Sequence, residues 1–351
     1  MPIFNTGSII EEVINNILYL NKAHKNSVEI ILVDDGSTDR ITLASIDRVK
    51  HKKNVIVLTQ KNSGPSKARN NGILKAKGEW IGFCDSDDKI DSNNLLSLLE
   101  KLPSYRQFDM LVFGWNIAYS DINKISRSIQ LESQNIRGSN NIINKTIISL
   151  SDDGRMYNLW NKLYRREIIE KNNLKLNNSL KFGEDLLFNL DFLSKSQYIS
   201  CINIKPYYTY LDNSKTSIVR STKLDLNFRK ENVKGLLAFA NNSNGNINSA
   251  VELIKLRWLI SFCLAIVSQN TNTYNKLKQI KLIYKNNLLI PRYKCKKGII
   301  SYKKYIILKI FSLIMLIPIF NIFFIYTLFI YKKISINSTK IRNIKLNKIL
   351  D

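Results

Sequence analysis

The chain concentrates its chemistry at Asp85-Ser86-Asp87-Asp88, where the apolar run Ile81-Gly82-Phe83-Cys84 ends in three acids within four residues. Carboxylates this close repel one another. Such crowding is tolerated where a divalent cation or several hydrogen-bond donors stand among them, and hard oxygen ligands of this kind suit Mn2+ or Mg2+. The same residues also read as a solvated acidic turn ahead of a helix that begins near Asp91. Two further acid pairs sit at element ends. Asp34-Asp35 opens the polar turn Asp34-Asp35-Gly36-Ser37-Thr38-Asp39, which an Asx-turn alone would explain. Glu184-Asp185 follows Gly183 at the first turn of a helix, where the macrodipole favours any carboxylate. Arg69 lies in a helix opened by Gly64-Pro65, so its guanidinium and the helix N-terminus can face a phosphate or the acid cluster.

What must position these groups is a sheet. The runs 28–33, 55–58, 80–84 and 110–114 are apolar and of strand length, as expected of strands covered on both faces. Between them, apolar spacing predicts helices over 8–20, 41–49, 67–76 and 91–102. Strand, turn, helix and strand in alternation is the order of a doubly wound α/β fold, a mostly parallel sheet flanked by helices with ligands along its carboxyl edge. Residues 116–130 continue as an antiparallel ribbon. Helices are expected at 138–150, 166–172 and 185–195, a strand at 207–211, and mostly helix over 224–267 and 274–289.

The formal charge of +25 is uneven. From Lys276 to Asp351 there are 15 Lys and 2 Arg against the single acid Asp351, a net of +16 that leaves +9 for the first 275 residues. A nucleic-acid binder would carry its charge on the folded module, so no nucleic-acid partner is expected; a basic tail beside an apolar run points to anionic lipid headgroups. That run, 310–330, holds 21 residues without a charge and includes Pro318 and Asn321. It is long enough to cross a bilayer, yet basic residues flank both ends, which suits a re-entrant hairpin or an interfacial helix pair as well as a single span. The four cysteines are dispersed and only His24 and His51 are histidines, which argues against zinc or a Cys-His nucleophile. No signal peptide is read at the start, and reduced thiols on the cytoplasmic side are expected.

In combination, Pro2-Ile3-Phe4-Asn5, Val33-Asp34-Asp35-Gly36-Ser37-Thr38-Asp39, Asn62-Ser63-Gly64-Pro65-Ser66-Lys67-Ala68-Arg69-Asn70, Asp85-Ser86-Asp87-Asp88 and Gly183-Glu184-Asp185 resemble the family 2 glycosyltransferases of the GT-A fold, over about residues 2–220. The resemblance implies Asp87 as the metal ligand, with Mn2+ or Mg2+ on a nucleotide diphosphate, and Asp85 with Ser86 as nucleotide-sugar contacts. It implies Asp35 as acceptor of a uracil imide proton beside Asp34, Phe4 stacked on the base next to Pro2, Arg69 on the phosphates, and Asp185 as general base. Glu184, Trp160 and Lys162 fall on the acceptor side, although a Trp in such a pattern also packs a core.

The implied division is 1–220 as the GT-A domain, 221–300 as a helical region and 301–351 as a membrane-associating segment with a basic tail. Members of the family carry an apolar strand ahead of the Pro-x-aromatic-Asn piece. Here no strand is read before the first helix, which leads us to expect either a start upstream or the weakened product of a truncated gene. The function expected is inverting transfer of a sugar from a nucleotide-diphosphate sugar, most simply a UDP-sugar, to a glycan or lipid-linked acceptor in surface polysaccharide synthesis at the inner face of a membrane. The rival reading is a catalytically silent, membrane-associated GT-A-like binding protein. Sugar, acceptor, linkage and oligomeric state are not legible in the residues.

Overall fold

The computed structural model describes residues 1–23, 28–119, 125–138, 155–180 and 183–212, with the short helical pieces 234–237, 254–255 and 274–275 and the single positions 266, 272 and 278. Contacts divide the chain into two units, Met1–Lys223 with Asn241–Asn246, and Leu224–Ala240 with Ile247–Asp351. All elements named below belong to the first. All but Gly138 of the helix expected over 138–150, most of those over 224–267 and 274–289, and the apolar stretch 310–330 lie outside the described residues. No helix among the described residues is long and apolar enough to cross a membrane.

The unit begins with three parallel strands, β1 (Pro2–Ile3), β2 (Ile30–Asp34) and β3 (Val55–Thr59), ordered β1-β2-β3. Parallel neighbours need crossovers, and α1 (Ile9–Ala23) and α2 (Arg40–Val49) supply them. The apolar residues Ile10, Val13, Ile14, Ile17 and Leu20 recur at helical spacing and are buried; each contributes roughly 1.5–3 kcal/mol by leaving water. Asp39 starts α2 by accepting from the Thr42 amide at 2.8 Å. The sequence predicts no strand ahead of α1, and here the structure corrects it: Pro2 lies opposite Val33 and Ile3 opposite Asp34. Two residues are too few to show any period.

After α3 (Pro65–Lys75), β4 (Trp80–Gly82) opens a second sheet with β6 (Met110–Phe113), β9 (Gln134–Arg137), β10 (Lys162–Arg165) and β11 (Tyr198–Ile202), ordered β4-β10-β6-β11-β9. A third sheet orders β5 (Lys89–Ile90), β12 (Tyr208–Asp212), β7 (Trp115–Tyr119) and β8 (Ile125–Ile129) as β5-β12-β7-β8. Helices α4 (Ser92–Lys101), α5 (Arg166–Lys171) and α6 (Glu184–Lys195) are the further helices among the described residues of the unit. Asp91 caps α4 rather than any residue of the acid cluster, accepting from the Asn94 amide at 2.9 Å.

Pairing is wholly parallel in the first sheet and mixed in the other two, where β6 runs parallel to β11 and β7 to β12. Strand β10 enters between β4 and β6 antiparallel to both, and β9 runs antiparallel to β11. The expected ribbon at 116–130 is present as β7 and β8, which pair antiparallel. At the centre of the second sheet, Leu111, Val112 and Phe113 are fully buried.

Candidate active site

The carboxyl end of β2 is tied down by short polar links. Asp34 Oδ1 accepts from the Ser37 amide at 2.9 Å, an Asx-turn. Asn5 Oδ1 accepts from the Thr38 and Asp39 amides at 2.8 and 3.2 Å, which joins the end of β1 to the same turn. Asp35 is buried, and its Oδ1 accepts from Gln60 Nε2 and the Ser63 amide, both at 2.7 Å, while Oδ2 accepts from the Gly64 amide at 2.8 Å. Its carboxylate thus fixes the loop that opens α3 and keeps lone pairs on the Oδ2 side. Gly36 sits at φ 78°, and a Cβ there would meet the Asn62 amide nitrogen at 3.0 Å. Only glycine lets the two loops approach so closely. Phe4 projects from this rim at 46% exposure, and Pro2 is half-buried beneath it.

Helix α3, β4 and α6 then meet. Phe83 packs edge-on against Tyr164 and Phe188 at ring distances of 5.5 and 5.9 Å, and Tyr164 Oη donates to Asn189 Oδ1 at 2.6 Å. These apolar and polar ties bring the residue two beyond Phe83 towards the first turn of α6. Arg69 bridges what results: Nη2 donates to Asp85 Oδ1 at 2.7 Å, and Nη1 stands 3.5 Å from Asp185 Oδ1 and 3.9 Å from Glu184 Oε1. Gly183, at φ 83°, makes the left-handed turn that starts α6 with both acids facing Arg69. Asn70, one residue along α3, is buried and holds the loop before α6 through bonds to Leu176 and Asn178.

The electrostatics follow from this crowding. Burial, opposed by Arg69 and assisted by Glu184, pushes the Asp185 carboxyl up to about 7. Among the described residues its buried Oδ1 has no hydrogen-bond partner, and neither has Arg69 Nε. Burial also raises Glu184. Although burial opposes its charge, Arg69 is held protonated by Asp85, Asp185 and Glu184. Asp87 is exposed, yet lost hydration in the packed loop and Asp85 beside it raise its pKa.

Of the three clustered acids, Asp88 is the structural one. It is buried, accepts from Tyr208 Oη at 2.5 Å and from the Leu211 amide at 2.8 Å, and so locks β12 to the loop. The Asp85 amide in turn donates to Tyr208 Oη at 3.1 Å, and Ser86 is buried between. Among the described residues no three His, Cys, Asp or Glu side chains converge as a cation site. The chemistry of the donors nevertheless fits Mg2+ or Mn2+ held jointly with a bound phosphate: Asp87 is free to face it, and like charges at Asp85 and Asp87 call for a cation.

The structure redirects two residues expected on the acceptor side. Trp160 is buried, stacked on Tyr208 at 4.6 Å and 4° and on Tyr210 at 6.0 Å and 8°, so its ring supports β12 instead of lying open to a sugar. Lys162 is fully buried and donates from Nζ to the Asn158 carbonyl and Asn161 Oδ1. Burial raises the Asp185 carboxyl, and the charge of Lys162 offsets that only in small part. Tyr208, Gln60 and Asn70 were not singled out from sequence. A tyrosine inside an expected strand, or an amide before a turn, carries no signal of its partner.

Fold and site together define a sugar-transferring enzyme of the GT-A architecture. The chain belongs to glycosyltransferase family 2: the profile of the family described as Glycosyl transferase family 2 matches residues 1–172, and the uncharacterized glycosyltransferase EpsJ of Bacillus subtilis is 30% identical over 242 residues, covering 69% of this chain and 68% of that protein. Poly(ribitol-phosphate) beta-N-acetylglucosaminyltransferase TarS of Staphylococcus aureus is 28% identical over 215 residues, 59% of this chain and 34% of that one, so the chain spans about a third of it. The crystal structure of S. aureus TarS 1-349 in complex with UDP-GlcNAc shares the fold at a TM-score of 0.63 and 22% identity, covering 83% of this chain and 80% of that one.

Proposed function

We propose that this glycosyltransferase is an inverting enzyme that takes a UDP-sugar and places the sugar on a hydroxyl of a glycan or lipid-linked acceptor in surface polysaccharide synthesis. The observation that carries the reading is the meeting at Arg69 of Asp85 from the end of β4 and Asp185 from the start of α6. A donor diphosphate beside Arg69 and Asp85 sets its anomeric carbon within reach of an acceptor hydroxyl that donates a hydrogen bond to Asp185 Oδ1. The acceptor oxygen bonds to that carbon as the bond from carbon to diphosphate oxygen breaks, and the hydroxyl proton passes to Asp185. Arg69 holds the diphosphate and the two carboxylates in register. Asp87 and Asp85 would hold Mn2+ or Mg2+, which when bound supplies Lewis-acid stabilisation of the charge growing on the departing diphosphate.

Support for uridine as the base comes from Asp35, whose Oδ2 keeps acceptor capacity at the mouth of the turn, from the open ring of Phe4, and from the fold neighbour solved with UDP-GlcNAc. The poly(ribitol-phosphate) transferases among the relatives support a polymer hydroxyl as acceptor. On the same reading the enzyme works at the cytoplasmic face of the membrane, with 310–330 in or on the bilayer and the basic flank on anionic headgroups.

UDP release from a panel of UDP-sugars, with Mn2+ and a lipid-linked acceptor, tests this. Asp87→Ala and Asp185→Asn should each lower turnover by about 10²-fold or more. Unchanged turnover in both would overturn the mechanism, and absence of metal-dependent UDP binding by calorimetry would favour a silent binding protein.

A further inference from the structure

Asp35 does not stand alone at the end of β2. A line of side-chain amides runs from its carboxylate back to α3: Gln60, the residue after β3, donates from Nε2 to Asp35 Oδ1 at 2.7 Å, and Asn71 on α3 donates from Nδ2 to Gln60 Oε1. Both amides are half-buried. The direction of the line is forced. A carboxylate only accepts, so Gln60 must turn its NH2 group to Asp35; that leaves Oε1 facing α3, and Asn71 must answer with its own NH2 group.

Backbone bonds hold this line in place. The Gln60 amide donates to the Asp34 carbonyl at 2.9 Å, so the residue that grips Asp35 is itself pinned to the end of β2. With Gln60 and the Ser63 amide on Oδ1 and the Gly64 amide on Oδ2, the Asp35 carboxylate cannot rotate without giving up hydrogen bonds on both oxygens. Its remaining lone pairs keep one direction. On the same helix, two residues before Asn71, Arg69 donates to Asp85 Oδ1, so one turn of α3 braces both loops.

We propose that Gln60 and Asn71 are positioning residues that set which base the donor carries: by holding Asp35 as a fixed group that only accepts, they admit uracil and refuse cytosine. The inference rests on the proposed reading of Asp35 as the base contact and concerns what makes that contact selective. Uracil presents a donor, N3–H, where cytosine presents a bare nitrogen lone pair. Set against a carboxylate that is tied down, that lone pair finds no partner, and a site built to accept a proton rejects the analogue that lacks one. A carboxylate free to swing aside would let a water bridge to the cytosine nitrogen and lose the discrimination. Asn71 does not touch the nucleotide; it acts through Gln60.

Calorimetry on the full chain with Mn2+ compares UDP, CDP and 3-methyl-UDP, whose N3 carries no proton. The parent should bind UDP at least ~10-fold more tightly than either of the others. Asn71→Asp, which sets a second acceptor against Gln60 Oε1 and turns that amide round, and Gln60→Leu should each lower the ratio of UDP to CDP affinity by about 10-fold. Asn71→Ala removes the donor without adding a charge, keeps α3 because alanine is the best helix former, and should lower the ratio in the same direction. A merely structural role would weaken both nucleotides alike. An unchanged ratio in the three variants, whether UDP binding is intact or reduced, would therefore overturn the proposal while leaving Asp35 as the base contact. A parent that binds 3-methyl-UDP as tightly as UDP would instead remove Asp35 from base recognition, and the proposal with it.

Discussion

At the scale of single residues, Asp185, as the proposed general base, decides how the enzyme should respond to pH. A general base works only when ionised, and this carboxyl is raised to about 7, chiefly by burial. Activity should therefore climb as pH passes through about 7 and level off above it, a profile that Asp185→Asn abolishes together with about 10²- to 10⁴-fold of the rate. Stability moves the opposite way. The folded chain binds this proton more tightly than the unfolded chain does, so the stabilisation is fully present below the unfolded pKa near 4 and is lost as pH rises through about 7. The Asn variant should match the parent's unfolding midpoint at pH 4 and exceed it by about 2–4 °C at pH 8, as thermal scans at the two pH values would read. Asp85, Asp87 and Asp185 stand out in the sequence as acids at strand and helix ends, and the structure brings Asp85 and Asp185 together at Arg69. That Asp35 would be occupied by Gln60, Ser63 and Gly64 was not legible, since its partners come from a loop about 25 residues on.

Among the elements, β12 shows how a strand can serve the site without touching the reaction. Its Tyr208 hydroxyl donates to buried Asp88 and accepts from the Asp85 amide, and its ring lies flat on Trp160. Tyr208→Phe keeps the ring but leaves a buried carboxylate short of a donor and an amide short of an acceptor. It should lower the free energy of unfolding by about 1–3 kcal/mol, measured by denaturant titration, and weaken UDP-sugar binding through the Asp85 loop. Legibility among the elements followed apolar runs rather than burial alone: β11, Tyr198–Ile202, is almost wholly buried and was not read. β2, β3 and β6 read as apolar runs because helices or neighbouring elements cover them, whereas β9, Gln134–Arg137, is polar and mostly exposed. β10 was missed for a different reason: it begins at Lys162 and ends at Arg165, both buried. A charged residue reads as solvent-facing unless its partners are known, and those of Arg165, Glu79 and the carbonyls of Arg106 and Phe108, lie 57 or more positions away.

Over the whole molecule, the alternation of strand and helix that signals a doubly wound sheet holds through β4 and then gives way, because β10 is threaded back between β4 and β6 by a return that no local pattern encodes. The charge distribution, by contrast, is a property of the sequence alone: +16 of the +25 falls after residue 275. The proposed work at the inner leaflet predicts that the full chain binds vesicles containing anionic lipid far better than neutral ones, with affinity falling as salt shortens the reach of each charge. A basic residue near such a surface contributes about 1 kcal/mol. Replacing Lys332, Lys333, Lys340, Arg342, Lys345 and Lys348 with Gln should therefore weaken vesicle binding by more than ~10²-fold, even if half of them contact lipid, while UDP-sugar turnover on a soluble acceptor stays unchanged. Co-sedimentation across a salt series separates the two ways of holding the membrane. Binding that survives both high salt and the six substitutions would assign anchoring to the uncharged 310–330 stretch, where inserted apolar area rather than charge sets the affinity.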